Sequence, residues 1–222
     1  MTTLRHRIAT DTRYVLLGFP TAVMSFVLVL IGVAAGAGSA VAFIGLPILA
    51  AAAAMARNFA DVERVMLPDV LGRRVARPRY RQAPSDAGWF RRTMNPLTSG
   101  QAALDMLHAV VAFPLAIVTF VVTLVWWAGA IAGLTFPLYG WIIAGLPEFH
   151  GGLPELLGLG SDTTTFVVFN TVLGVLFALT LVPVVRGAAL IKASLAQALL
   201  TRPAYDERPA TVRAHRLAAA EF

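Results

Sequence analysis

Between Arg13 and Arg57 the chain carries no Lys, Arg, Asp, Glu or His. A helix crosses the hydrocarbon core of a bilayer in about 20 apolar residues, so Tyr14 to Ala56 is long enough for two crossings. Its one turn-forming break is Gly36-Ala37-Gly38-Ser39 near the middle. That pattern predicts one span from Tyr14 to Ala35, a tight turn, and a second span from Ser39 to Ala56, with Gly45-Leu46-Pro47 kinking the second. The run is also too long to be the h-region of a cleaved signal, despite Arg5, Arg7 and Arg13 ahead of it.

The remainder of the 222 residues keeps this character. The chain is 58% hydrophobic and 14% charged with a mean hydropathy of +0.73, which describes a polytopic membrane protein rather than a soluble domain. A third span is expected from Ala102 to Gly129, with Ser99 as its N-cap, and a fourth from Phe166 to Val185. The absence of Cys excludes a disulfide framework, a thiolate metal site and a cysteine nucleophile. All 18 Lys and Arg residues lie before Tyr14, between Arg57 and Arg92, or from Arg186 onward. The positive-inside rule therefore predicts a multi-pass protein of the cell membrane with both termini in the cytoplasm. The net charge of +6 is read as loop charge and affinity for anionic lipid, not as a nucleic-acid surface.

These signals divide the chain into a basic head (1–13), a first hairpin with an amphipathic extension (14–67), an arginine-rich connector (68–101), a second hairpin (102–202) and a tail (203–222). In the first extension Phe59, Val62 and Met66 recur at helical spacing opposite Arg57, Asp61 and Arg64, and Pro68 is expected to end it. The second extension follows Arg186, with Ile191, Leu195 and Leu199 spaced alike. Residues 134–165 are expected to form an acidic outer loop.

The two hairpins look like copies. Phe19-Pro20-Thr21-Ala22-Val23-Met24-Ser25-Phe26-Val27 aligns with Phe113-Pro114-Leu115-Ala116-Ile117-Val118-Thr119-Phe120-Val121 in an F-P-x-A-x-x-[ST]-F-V pattern. Both second helices end in an arginine, Arg57 or Arg186, that opens an extension. The expected fold class is all-α: four transmembrane helices arranged as two hairpins repeated in parallel, with amphipathic cytoplasmic extensions.

Several stretches, taken in order, resemble a known family: Asp11-Thr12-Arg13-Tyr14-Val15-Leu16-Leu17-Gly18-Phe19-Pro20, Gly45-Leu46-Pro47, Ala60 to Arg64, Tyr80-Arg81, Pro137-Leu138-Tyr139 and Val185-Arg186-Gly187. The family is the sensor domain of actinobacterial membrane proteins, found at the N-terminus of sensor histidine kinases. The resemblance covers roughly residues 10 to 202 and implies a four-helix membrane input module. It carries no ligand or catalytic residues. His215, in Arg213-Ala214-His215-Arg216, lacks the pattern of a phosphoacceptor helix, and no ATP-binding motif is present. Two readings stay open: the input half of a kinase, or a stand-alone module that signals through a partner.

Ionisable residues inside a span are candidate functional sites. Asp105 and His108, about one helical turn apart, are the pair expected there; His108 would titrate near neutral pH, and both could instead reach water or pair with Arg91 or Arg92. Glu148, His150, Glu155 and Asp162 are candidate contacts for a cation or ligand on the outer loop, at spacings that match no metal motif; solvation alone also explains them. Pro47 and Pro183 are candidate hinges. Arg73, Arg74, Arg77, Arg91 and Arg92 are candidate contacts to anionic lipid. No catalytic residue, metal or cofactor is expected. The functional expectation is a non-catalytic sensor module of a two-component-type system, a homodimer working with a cytoplasmic partner or fused kinase core. The alternative is a small transporter or a transporter-associated subunit.

Overall fold

The computed structural model describes residues 4–39, 44–76, 78, 88, 94–147 and 151–201. All described secondary structure is helical: α1 (Leu4–Gly38), α2 (Gly45–Leu71), a 3-10 turn (Asn95–Thr98), α3 (Gly100–Ala144), α4 (Gly152–Leu156) and α5 (Thr163–Leu200). Three of these, α1, α3 and α5, are long and apolar enough to cross a membrane. At 1.5 Å per residue they run roughly 50 to 70 Å, well beyond a hydrocarbon core of about 30 Å. The expected head, spans and extensions are therefore parts of continuous helices.

Several boundaries differ from expectation. The span expected over Ser39–Ala56 is not among the three, because α2 starts at Gly45 and leaves twelve residues before Arg57, while residues 40–43 lie outside the described set. Pro47 does not kink a helix. It occupies the first turn of α2, where its missing N–H would have had no intrahelical partner. Pro68 does not end α2 either; the helix closes at Gly72, whose φ of 68° only glycine adopts freely and whose N–H reaches the Pro68 carbonyl at 2.8 Å. Ser99 caps as expected, its Oγ accepting from the Ala102 N–H at 3.2 Å. Residues 134–144, expected in the outer loop, are the last turns of α3.

The chain forms two compact units. One comprises Met1–Val15 and Val118–Ala189, the other Leu16–Ile117 and Leu190–Phe222. In the first, α3 and α5 pair antiparallel through small residues. A Cβ on Gly133 would lie 2.3 Å from the Gly174 Cα, so the two backbones touch. Trp126 stacks edge-on to Phe177 and donates to Thr180 Oγ1 at 3.0 Å, and Phe136 meets Phe166 edge-on. The start of α1 joins this unit through Asp11, which binds Arg186 at 2.8 Å, and Thr12, which accepts from Trp127 Nε1.

In the second unit α1 and α2 form a hairpin closed by Gly32 against Ala52 and Gly36 against Leu49. Here the two copies do not meet in the expected parallel sense. Phe26 stacks on Phe113 with ring centroids 4.3 Å apart, while Val29 and Val33 share a core cluster with Ala109 and Met106. As α1 advances, α3 retreats, so the helices are antiparallel. The repeat accommodates this: its two phenylalanines are seven residues apart, on one helical face, and antiparallel pairing sets the second phenylalanine of one copy against the first of the other.

The buried faces of the two extensions also differ from those expected. On α2 the inward stripe is Ala53, Ala56, Ala60, Glu63, Arg64 and Leu67, while Val62 is exposed. On α5 it is Ala189, Lys192, Ala193, Ala196 and Leu200, while Ile191 is exposed. Small residues let the helices approach closely enough for charged side chains to meet inside.

Candidate functional site

Within the second unit the later turns of α2 and the end of α5 meet the start of α3, and the contact is charged. Arg64 is its centre, with a side chain only 2% exposed. Its Nη2 donates to Asp105 Oδ1 on α3, its Nη1 to Asp61 Oδ1 at 2.7 Å, and its Nε to the Leu200 carbonyl at 2.9 Å. Gln101 donates from Nε2 both to Asp105 at 3.0 Å and to the Leu199 carbonyl at 3.1 Å. The last carbonyls of a helix have no intrahelical donor and carry the negative end of its dipole. A guanidinium from α2 and an amide from α3 thus cap the C-terminus of α5.

A second pair lies beside the first. Lys192 Nζ donates to Glu63 Oε1 at 2.7 Å, both side chains less than 10% exposed. Together with His108, Thr21 and Ser25 they line a cavity of about 20 Å³, room for one water. His108 is half-buried.

Of the sequence-predicted residues, the structure brings together Asp105 and His108, one through Arg64 and the other through the cavity. Asp105 is 1% exposed, and its cation is Arg64 on α2; Arg91 and Arg92 lie outside the described residues, as do Arg77, Glu148 and His150. Glu155 is exposed, and Asp162 caps α5, accepting from the Thr165 N–H at 2.9 Å and hydroxyl at 2.7 Å. Those two hydrogen bonds hold the Asp162 carboxyl below its ordinary value of 3.8. Among the described residues no cluster of three or more His, Cys, Asp and Glu could hold a metal. Arg73 donates to Gln197 at 2.9 Å and Arg74 is exposed. Pro183 lies inside α5.

Sequence reasoning missed Glu63, Lys192 and the role of Arg64. Two signals were there to be read. Lys192 is the sole lysine among the 18 basic residues, set in an alanine-rich stripe. Glu63 and Lys192 also stand at matching places, each six residues after the arginine that opens its extension.

A helical membrane protein whose internal charges join three helices at one helix end is the class that fold and site define. A family model described as "Putative sensor" matches residues 14–200, and the chain belongs to that family. No curated protein and no solved structure matches it.

Proposed function

We propose that this chain is the non-catalytic membrane input module of a two-component-type signalling system, in which a change of helix packing is passed to the end of α5. The observation that supports this most is the joint hold of α2 and α3 on the Leu200 carbonyl. Leu200 is where the chain leaves α5 for its tail. A shift of α3 that moved Asp105 would change how Arg64 is held, and with it the lock on α5. The stimulus acts from the α3–α5 connection or from the bilayer, and the output passes to a fused kinase core or a separate cytoplasmic partner, with the module working as a homodimer. Charge bias assigns the Arg57–Arg92 segment and the chain beyond Arg186 to the cytoplasm.

The test joins a histidine-kinase core to the full chain after Phe222 and follows autophosphorylation in nanodiscs of varied lipid composition. Arg64→Met is expected to hold output at one level whatever the lipid, and Arg64→Lys to keep part of the response. Unchanged responsiveness of correctly folded Arg64→Met would sink the relay. Replacing residues 145–162 with a neutral linker separates the two stimulus routes: equal output with and without them removes the connection and leaves the bilayer.

A further inference from the structure

The connection between α3 and α5 carries a surface that the charged site does not use. Leu153, Leu156, Leu157 and Leu159 are 54 to 83% exposed within seven residues, although leucine is ordinarily a core residue. They do not sit on a loose loop. Pro154 between them is buried, and Gly152 lies against the Phe166 ring. The short helix α4 ends in a glycine cap, with the Gly158 N–H on the Glu155 carbonyl at 2.9 Å and the Leu159 N–H on the Pro154 carbonyl at 2.9 Å, Gly158 itself at a φ of 72°. The Leu157 N–H reaches the Leu153 carbonyl at 3.1 Å. The N–H groups of Leu157, Gly158 and Leu159 are thus paired within the segment, which lowers the cost of entering an apolar medium.

We propose that this leucine face is seated in the apolar edge of the lipid bilayer. The occupant follows from three observations. The segment joins two helices that are each long and apolar enough to span, so it lies where the membrane ends. The end of α3 also exposes apolar side chains, Leu138 and Trp141, and the Trp141 indole N–H is already satisfied by the Leu138 carbonyl at 3.0 Å. Residues 145–162 contain no Lys or Arg, so anionic headgroups offer them no attraction and the contact is apolar. A partner protein is the competing occupant, and water the third possibility. The inference rests on the chain being a membrane protein and is independent of the relay through Arg64.

The chain has no cysteine, so a single one can be placed anywhere and labelled. Leu156→Cys and Leu153→Cys, each carrying an environment-sensitive fluorophore, would be placed in phosphatidylcholine vesicles with bromine on the acyl chains. Val172→Cys on the exposed face of α5 serves as the lipid reference and Ser161→Cys as the aqueous one. Blue-shifted emission at 153 and 156, bromine quenching approaching that at 172, and protection from aqueous iodide are expected, with no change when anionic lipid is added. Iodide quenching without bromine quenching would place the face in water, and insensitivity to both quenchers would place it under protein; either result overturns the proposal. Both replaced leucines point outward, so loss of packing does not confound the reading, and a wild-type unfolding profile for each variant verifies it.

Discussion

Arg64 joins three helices, and the worth of that junction can be measured with a double-mutant cycle. Arg64→Met takes the guanidinium from a side chain that is 2% exposed and leaves Asp105, whose side chain is fully buried, with the Gln101 amide but without its cation. Breaking a buried ion pair from one side costs about 3–5 kcal/mol. Asp61, whose side chain is half exposed, adds no more than about 1 kcal/mol. Asp105→Leu is milder, at about 2 kcal/mol, because Arg64 keeps Asp61 and the Leu200 carbonyl.

The double variant Arg64→Met with Asp105→Leu removes both charges together. Its residual loss is the helix cap on Leu200, about 1.5–3 kcal/mol for a hydrogen bond to a charged group. The singles sum to roughly 6 kcal/mol and the double lies near 2–3, a coupling of about 3 kcal/mol. Reversible unfolding in detergent, followed by helicity, gives all four corners of the cycle. A double variant as unstable as the sum of the singles would show that the two residues act independently, and the junction would then be no more than a set of separate interactions.

The remaining predictions address other parts of the two units. Gly133→Ala is expected to destabilise by at least about 1–3 kcal/mol, because its new Cβ would sit 2.3 Å from the Gly174 backbone, which cannot swing aside; Gly187→Ala, with nothing within 4 Å, should be neutral or gain up to about 1 kcal/mol from helix propensity. Thermal unfolding of the two variants side by side checks the contrast. Thr123→Val should stabilise by about 1 kcal/mol, since the Thr123 hydroxyl is fully buried with no hydrogen-bond partner among the described residues; an unchanged or lower midpoint refutes it. The Asp162 cap should be pH-dependent. A carboxyl whose folded pKa is depressed contributes stability above its unfolded value, here near 3.8, and loses it as pH falls through the folded one. Amide-exchange protection at Thr165, corrected for intrinsic rate, should therefore fall over that range in the wild type and stay flat in Asp162→Asn, which keeps an acceptor without the titration.

The parts of the fold legible in the sequence were those set by long-range averages. An uncharged run such as Tyr14 to Ala56 leaves a chain few choices besides membrane helices, and the described structure is helical throughout, with three helices long and apolar enough to cross a membrane. Charge bias, by which both hairpins begin in the cytoplasm, argued for parallel copies, and the repeat could not decide the matter, because antiparallel and parallel pairing bury the same phenylalanines. Helix ends were misjudged where proline was taken as a break: Pro47 sits in the first turn of α2, where an N–H has no intrahelical partner to lose, and Pro68 sits inside its last turn, with the helix closing only at Gly72. The inward faces were misjudged for a related reason. Hydrophobic spacing favoured Val62 and Ile191, but the stripes that pack are alanine stripes, in which the side chain matters less than how near it lets the next helix come.

That nearness explains why the charges are where they are. A buried ion pair is weak evidence for stability, since apolar residues of equal size serve as well or better. What apolar residues lack is direction: neither leucine nor methionine can hold the carbonyls at the end of a helix, whereas the fork of Arg64 holds the Leu200 carbonyl and Asp105 at once. The alanines bring α2, α3 and α5 close enough for one guanidinium to reach all of them, and the consequence is an α5 terminus whose position depends on two other helices. In a chain of the sensor family, that dependence is the physical requirement for a packing change in one helix to be felt where the chain leaves another.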